Sequence, residues 1–333
     1  MQQIRYGIIG LGFFGEKHAE VLQNMPGVTL SALCTRRAGR LRETAERFNV
    51  PKTYTDYHDL LNDSEIDAVS IVTHINDHRD IAVAALQSGK HVFLEKPMAA
   101  TPEDCDAIIA ASVGARAIFM VGHICRFDPR VAMAKEAVDE GRIGRIVSMH
   151  AARNLPASVA GGVLDKISPL MGDGIHDVDI MLWLTRDRIA SVYARNVRVH
   201  DYKYPDIGWA MCRFAGGAVG VIETVWALPD STPFAIDARM EVIGEKGAVY
   251  IDCGDAGLTI NDAGGMRKPD TVYWPHLHGR RVGVLRMELE YFIDCVRAGK
   301  KPEVITPVES KAAVAAMCAA EQSAESGEVV KLF

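Results

Sequence analysis

Residues 4–15 read IRYGIIGLGFFG, an apolar run of strand character that passes into glycines spaced G-x-G-x-x-G and then into a helix pattern. Each glycine of such a loop has a physical reason. Gly10 makes the tight turn, Gly12 lets backbone approach a pyrophosphate, and Gly15 permits close packing of helix on strand. The helix N-terminus that follows favours an anion. Glycine clusters also make ordinary turns, so the motif alone is weak, and its setting has to decide.

That setting is a strand–helix alternation. Strands are predicted at 4–9, 28–34, 68–72, 91–94 and 117–121, and helices at 15–24, 38–48, 57–61, 78–88 and 102–112. Pro26-Gly27 and Gly89 stop two of the helices; Thr101 caps another, with Pro102 in its first turn. Such alternation means a doubly wound parallel sheet with helices on both faces. After a helix at 129–140 the rhythm changes to strands at 143–153, 189–199, 208–215, 218–227, 236–243 and 247–252. Tight turns around Ala215-Gly216-Gly217 and Gly244–Gly247 predict antiparallel hairpins. Two more helices, near 283–298 and 309–326, close the chain. The expected fold class is therefore α/β: a dinucleotide-binding domain over 1–122, then an α/β domain over 123–333 with a large, mainly antiparallel sheet.

The bulk numbers agree with two globular domains. The chain has 333 residues, 48% hydrophobic and 24% charged, with a net charge of −6. An acidic balance argues against a nucleic-acid partner. Seven scattered cysteines, an odd number with no C-x-x-C, suggest neither a disulfide framework nor a zinc ribbon. The apolar stretch 107–125 carries Ser112, Arg116 and His123 and is broken at Gly114, so it reads as a helix leading into a buried strand. The expectation is a cytoplasmic protein with no membrane partner.

Three further segments carry chemistry. At the end of the second strand stand Cys34-Thr35-Arg36-Arg37, with no carboxylate to bind a ribose 2′-hydroxyl. Thr35, Arg36 and Arg37 suit a 2′-phosphate, so NADP(H) is favoured with NAD(H) still possible; the plain alternative is that both arginines are solvated loop charges. Glu95-Lys96-Pro97 ends the fourth strand, at the edge where such sheets hold ligands. Lys96 there is either a donor or base acting on a substrate oxygen, or a surface lysine before a turn. Gly172-Asp173-Gly174-Ile175-His176-Asp177-Val178-Asp179 opens a buried helix that Asp173 can cap, with His176 one turn on. A histidine in a core helix is commonly structural, yet three nearby carboxylates favour an acid–base site. The spacing fits no metal pattern, so no metal is expected.

Taken with these segments, Thr73 and His78 after the third strand, Gly122-His123 to Arg126-Phe127-Asp128-Pro129, Ile243-Gly244-x-Lys246-Gly247 and the run ELEYFIDCVRAGKKPEV at 288–304 make the chain resemble the glucose–fructose oxidoreductase / inositol dehydrogenase (Gfo/Idh/MocA) family. The resemblance spans nearly the whole chain in the family's order. It implies a Rossmann domain, a second domain with an open antiparallel sheet, homodimers or homotetramers built through that sheet, and hydride transfer on a sugar, cyclitol or related polyol. It further implies that Lys96 and His176 are the catalytic pair. Gly10, Gly12, Phe13, Phe14, Gly15, Thr35, Arg36, Arg37, Thr73, His78, Glu95 and Lys96 would line the cofactor site, and Arg126 would lie near the substrate with Lys96, Asp173 and His176. There is one departure: the family's aspartate four residues before the histidine falls on Gly172, with Asp173 beside it. Asp173 then either replaces that carboxylate or the chemistry runs without it. Rival uses of the same fold are a nucleotide-gated sugar sensor and a cofactor-assisted glycosidase.

Overall fold

The computed structural model describes residues 3–254 and 257–333. In chain order the elements are β1 (Ile4–Ile9), α1 (Phe13–Leu22), β2 (Val28–Cys34), α2 (Ala38–Phe48), β3 (Lys52–Tyr54), α3 (Tyr57–Asn62), β4 (Ala68–Ile71), α4 (Ile75–Gln87), β5 (His91–Glu95), α5 (Pro102–Ser112) and β6 (Phe119–Gly122). There follow α6 (Pro129–Asp139), β7 (Ile146–Pro156), α7 (Ala157–Ala160), α8 (Ile175–Thr185), β8 (Ile189–Val197), β9 (Ile207–Phe214), β10 (Val219–Leu228), β11 (Asp237–Gly244) and β12 (Ala248–Asp252). The last are the short strands β13 (Ile260–Asp262), β14 (Gly265–Arg267), β15 (His276–Leu277) and β16 (Arg280–Arg281), then α9 (Val284–Ala298), α10 (Pro307–Ser326) and β17 (Val330–Lys331).

The chain packs as two compact units. The first takes residues 1–127 with 273–311, and the second 128–272 with 312–333. The sequence reading ran its second domain unbroken from 123 to 333. Two segments differ: 123–127 and 273–311 pack with the N-terminal sheet, because the apolar face of α9 (Leu285, Leu289, Phe292, Ile293) is buried there, with Phe292 edge-on to Tyr6 and Phe93.

In the first unit the sheet order is β3-β2-β1-β4-β5-β6, every pair parallel. Ile8, Ile9, Leu33, Ile71, Val92, Phe93, Leu94 and Val121 are buried, as a sheet covered on both faces requires. All predicted strands form, and β3 is added; its three residues are too few for a period to show. Thr101 accepts from Asp104 N at 3.1 Å, the expected cap of α5. Two helix starts differ from expectation. α1 begins at Phe13, because Gly12 in extended conformation is already its N-cap, and α4 begins at Ile75.

In the second unit the order is β12-β11-β7-β10-β9-β8-β17. Both predicted hairpins form, β9–β10 and β11–β12. One pair is parallel, β7 with β10, since α7, α8 and two strands intervene between them. Ala210, Cys212 and Phe214 of β9 and Ile222 of β10 turn inward and are buried. Trp209 and Met211 face outward and are exposed. Among the described residues no helix is long and apolar enough to cross a membrane.

Candidate active site

The glycine loop has the geometry a dinucleotide needs. Gly10 sits at φ +104°, and a Cβ on it would lie 2.3 Å from the Val72 carbonyl oxygen. A Cβ on Gly15 would lie 2.0 Å from the Gly10 carbonyl oxygen, so the helix can start this close only on glycine. Around Gly12 nothing lies within 4 Å. Backbone is thus tightly packed at the first and third glycines and open at the second, at a helix N-terminus, where a pyrophosphate would rest. Thr73 Oγ1, next to Val72, is buried with no protein hydrogen-bond partner among the described residues. That too fits a group supplied by a cofactor. Phe13 is exposed on the first turn of α1, and Phe14 packs edge-on against His18 and Trp274.

The arginines after β2 are placed differently from each other. The Arg36 guanidinium is 81% exposed and pairs with Asp77 at 3.1 Å. Arg37 donates to the Leu11 carbonyl at 2.8 Å, which holds it against the glycine loop. Thr35 Oγ1 lies 3.5 Å from Arg37 N.

Lys96 follows directly on β5, which is separated from β1 by β4 alone, so it stands at the same sheet edge as the loop after β1. Its two neighbours are fixed. Glu95 is buried and lies 3.0 Å from His18 Nε2; His18 Nδ1 lies 3.1 Å from Ser70 Oγ, itself 3.0 Å from the Tyr6 hydroxyl. Burial pushes the Tyr6 phenol up, so it stays protonated. One direction of donation then satisfies every atom: Tyr6 to Ser70, Ser70 to His18 Nδ1, and His18 Nε2–H to the Glu95 carboxylate. On the other side, His78 Nδ1 lies 2.8 Å from the Pro97 carbonyl oxygen and Nε2 3.2 Å from that of Thr73. Burial pushes His78 down, favouring the neutral ring. His78 was expected on the cofactor side; its ring lies between the loops carrying Thr73 and Lys96, and a neutral ring, with one N–H, donates to only one of the two carbonyls, the shorter contact being with Pro97.

Arg126, expected near substrate, has a fully buried side chain. It donates to the Val304 carbonyl at 2.7 Å and to Glu309 at 3.3 Å. That placement makes it a tie to the start of α10, where Thr306 and Glu309 form a capping box.

In the second unit His176 is the second residue of α8, one turn after Asp173, and is buried. Two of the three carboxylates near it in sequence have separate partners. Asp177 takes a buried two-point bond from Arg153, at 2.8 and 3.3 Å. Asp179 is buried on the same helix. Asp173 does not cap α8, as the sequence suggested. It lies inside a wider-wound turn, Leu170–Gly174, and accepts from the Trp226 indole N–H at 2.8 Å. The cap reading failed because the helix does not begin at Gly174 but continues that turn. Sequence reasoning missed His18, Ser70, Tyr6 and Trp226. His18 had a faint signal, three residues after Gly15 on the same helix; the others lie far away in sequence and had none.

Comparison with known proteins gives a consistent result. The family model GFO_IDH_MocA, described as "Oxidoreductase family, NAD-binding Rossmann fold", matches residues 4–123, and the GFO/IDH/MocA C-terminal domain matches residues 131–250. The chain is 32% identical to the myo-inositol 2-dehydrogenase of Thermotoga maritima, covering 99% of this chain and 98% of that one. It is 30% identical to the scyllo-inositol 2-dehydrogenase (NAD(+)) of Bacillus subtilis, covering 99% and 96%. Among solved structures, myo-inositol 2-dehydrogenase from Lactobacillus plantarum superposes with a TM-score of 0.87 at 26% identity, over the full length of both chains.

Proposed function

The chain belongs to the Gfo/Idh/MocA family of oxidoreductases, and from that premise we propose that it transfers hydride between a nicotinamide dinucleotide and a secondary alcohol or ketone of a cyclitol, within the wider class of sugars and polyols. The observation that carries this reading is Lys96 on the same carboxyl edge of one parallel sheet as the open glycine loop. The bound dinucleotide supplies the hydride donor or acceptor. Gly12 backbone and the α1 N-terminus hold its pyrophosphate, and Thr73 Oγ1 gains a partner when it is bound. Lys96 donates to the substrate oxygen. His176 takes or returns the hydroxyl proton, and Asp173 supports it. The test is a panel of inositols, sugars and sugar acids with both cofactors, read by nicotinamide absorbance. Net conversion of at least one inositol is expected, and glycoside cleavage or ligand binding without net conversion would overturn it.

The adenosine ribose is proposed to carry a 2′-phosphate, so NADP(H) is expected to bind more tightly than NAD(H). An exposed Arg36, Arg37 held against the glycine loop and the absence of a carboxylate over 34–37 support this. Calorimetric titration decides it. Arg36→Ala should cost about tenfold in NADP(H) affinity, as for a lost charge-assisted contact. NAD(H) binding as tightly as NADP(H) would defeat the argument.

A homodimer or homotetramer is proposed through the outer face of the second sheet. Exposed Trp209, stacked on His150, and Met211 lie there with half-buried Val221 and Val225. Monomers rarely leave such a patch uncovered. Light scattering giving about the 36.3 kDa of one chain at micromolar concentration would refute it. Seven scattered cysteines, an odd number with no C-x-x-C, support a reducing compartment, the cytoplasm.

A further inference from the structure

Trp226 acts on the segment before His176 in two ways at once. Its ring is 4% exposed and packs with Leu155, Ala160 and Leu164. Its backbone is fixed as well, since Trp226 N donates to the Asp206 carbonyl at 2.9 Å. Asp206 is in turn held by Val199 N, His200 N and the His200 ring. The indole N–H, the one polar atom of this buried side chain, is spent on Asp173 Oδ2. A Cβ built on Gly172 would lie 2.7 Å from Cη2 and 3.1 Å from Cζ2 of the same ring. Ring carbons in a packed cluster cannot give way as the far end of a flexible chain does. No side chain can stand at 172 while Trp226 keeps its place, and the carboxylate of the next residue, Asp173, is bonded by that same indole.

The turn that presents these groups, Leu170–Gly174, is wound more widely than an α-helix, a local feature frequent at functional sites. From these contacts we infer that Trp226 is a positioning residue for the reaction: it reserves position 172 for glycine and orients the Asp173 carboxylate as the anionic support of His176. The inference rests on the reading of His176 and Asp173 given above. A fixed donor on a carboxylate oxygen removes its rotational freedom, so the group keeps one aim.

The experiment is a double-mutant cycle on the full-length enzyme, with kcat, KM and dinucleotide affinity measured for each variant. Trp226→Phe keeps a ring and loses the N–H. It should lower kcat about tenfold or more, the usual worth of a hydrogen bond to a charged group, while dinucleotide affinity stays at the wild-type value. Asp173→Asn should lose at least as much, and the Trp226→Phe/Asp173→Asn pair no more than Asp173→Asn alone. Losses that multiply in the pair, or wild-type kcat in Trp226→Phe beside an impaired Asp173→Asn, overturn the positioning role. Wild-type kcat in Asp173→Asn removes the carboxylate from the chemistry altogether and this inference with it, a result distinct from the first two.

Gly172→Ala tests the steric half and guards against a Trp226→Phe protein that fails to fold. Its methyl group should push the indole aside and reproduce the kcat loss. In the Trp226→Phe background it should cost little more, because phenylalanine lacks the outer ring edge that the methyl meets. Unchanged kcat in Gly172→Ala overturns the inference by itself.

Discussion

Lys96→Ala is expected to lower kcat by about 10²-fold or more while leaving dinucleotide affinity near the wild-type value, as for loss of an acid–base group. The architecture around the residue makes the loss interpretable. Glu95 before it is held by His18, and the Pro97 carbonyl after it by His78, so the backbone at 96 keeps its path when the side chain is cut back. What disappears is the ammonium, not the loop. His176→Ala should lose activity on the same scale. On the proposed mechanism, in which both groups serve one proton transfer, the double variant should fall short of the product of the two losses. Steady-state kinetics beside a dinucleotide titration check all three variants. Wild-type turnover in Lys96→Ala would remove lysine from the chemistry. A loss confined to dinucleotide affinity would move Lys96 to the cofactor's binding contacts.

What the sequence made legible follows a physical division. Glycine spacing is dictated by close backbone contacts, Gly15 against Gly10 and Gly10 against the strand end at Val72, so the turn at Gly10 and the close packing at Gly15 were legible in GLGFFG. Strands and hairpins were legible for the same reason: period, turn residues and caps are local. Side-chain commitments are not local. Nothing near His18 in sequence announces Ser70 or Glu95, and nothing near Asp173 announces Trp226, fifty-three positions on. The cap role given to Asp173 was the sensible local reading, and a distant indole displaced it. Arg126 and His78 were placed in the site by family resemblance, and the bonds of Arg126 to the Val304 carbonyl and Glu309 and the lie of the His78 ring against the Pro97 and Thr73 carbonyls had no signal in the sequence. The α9 segment went to the wrong unit because an amphipathic helix does not say which sheet its apolar face will meet.

The same division separates Asp177 from its neighbour. Next to His176 it looks like part of an acid–base cluster, but its carboxylate takes two bonds from Arg153, and both side chains are more than nine-tenths buried. Asp177→Ala leaves a buried guanidinium without its counter-charge, which costs about 3–5 kcal/mol. At roughly 2–4 °C per kcal/mol for a domain of this size, the melting temperature should fall by about 10 °C. Thermal and urea melts would show it. Replacing both partners by apolar groups, Arg153→Met with Asp177→Leu, should recover much of the loss, because the desolvation cost of the two charges goes with them. A purely structural pair predicts, further, that the folded double variant turns over at close to the wild-type rate, since the His176 ring keeps its place on α8. Should Asp177→Ala melt like the wild type and lose kcat instead, Asp177 would belong with Asp173 among the proposed supports of His176. The bond to Arg153 would then serve to aim the carboxylate, not to hold the sheet to the helix.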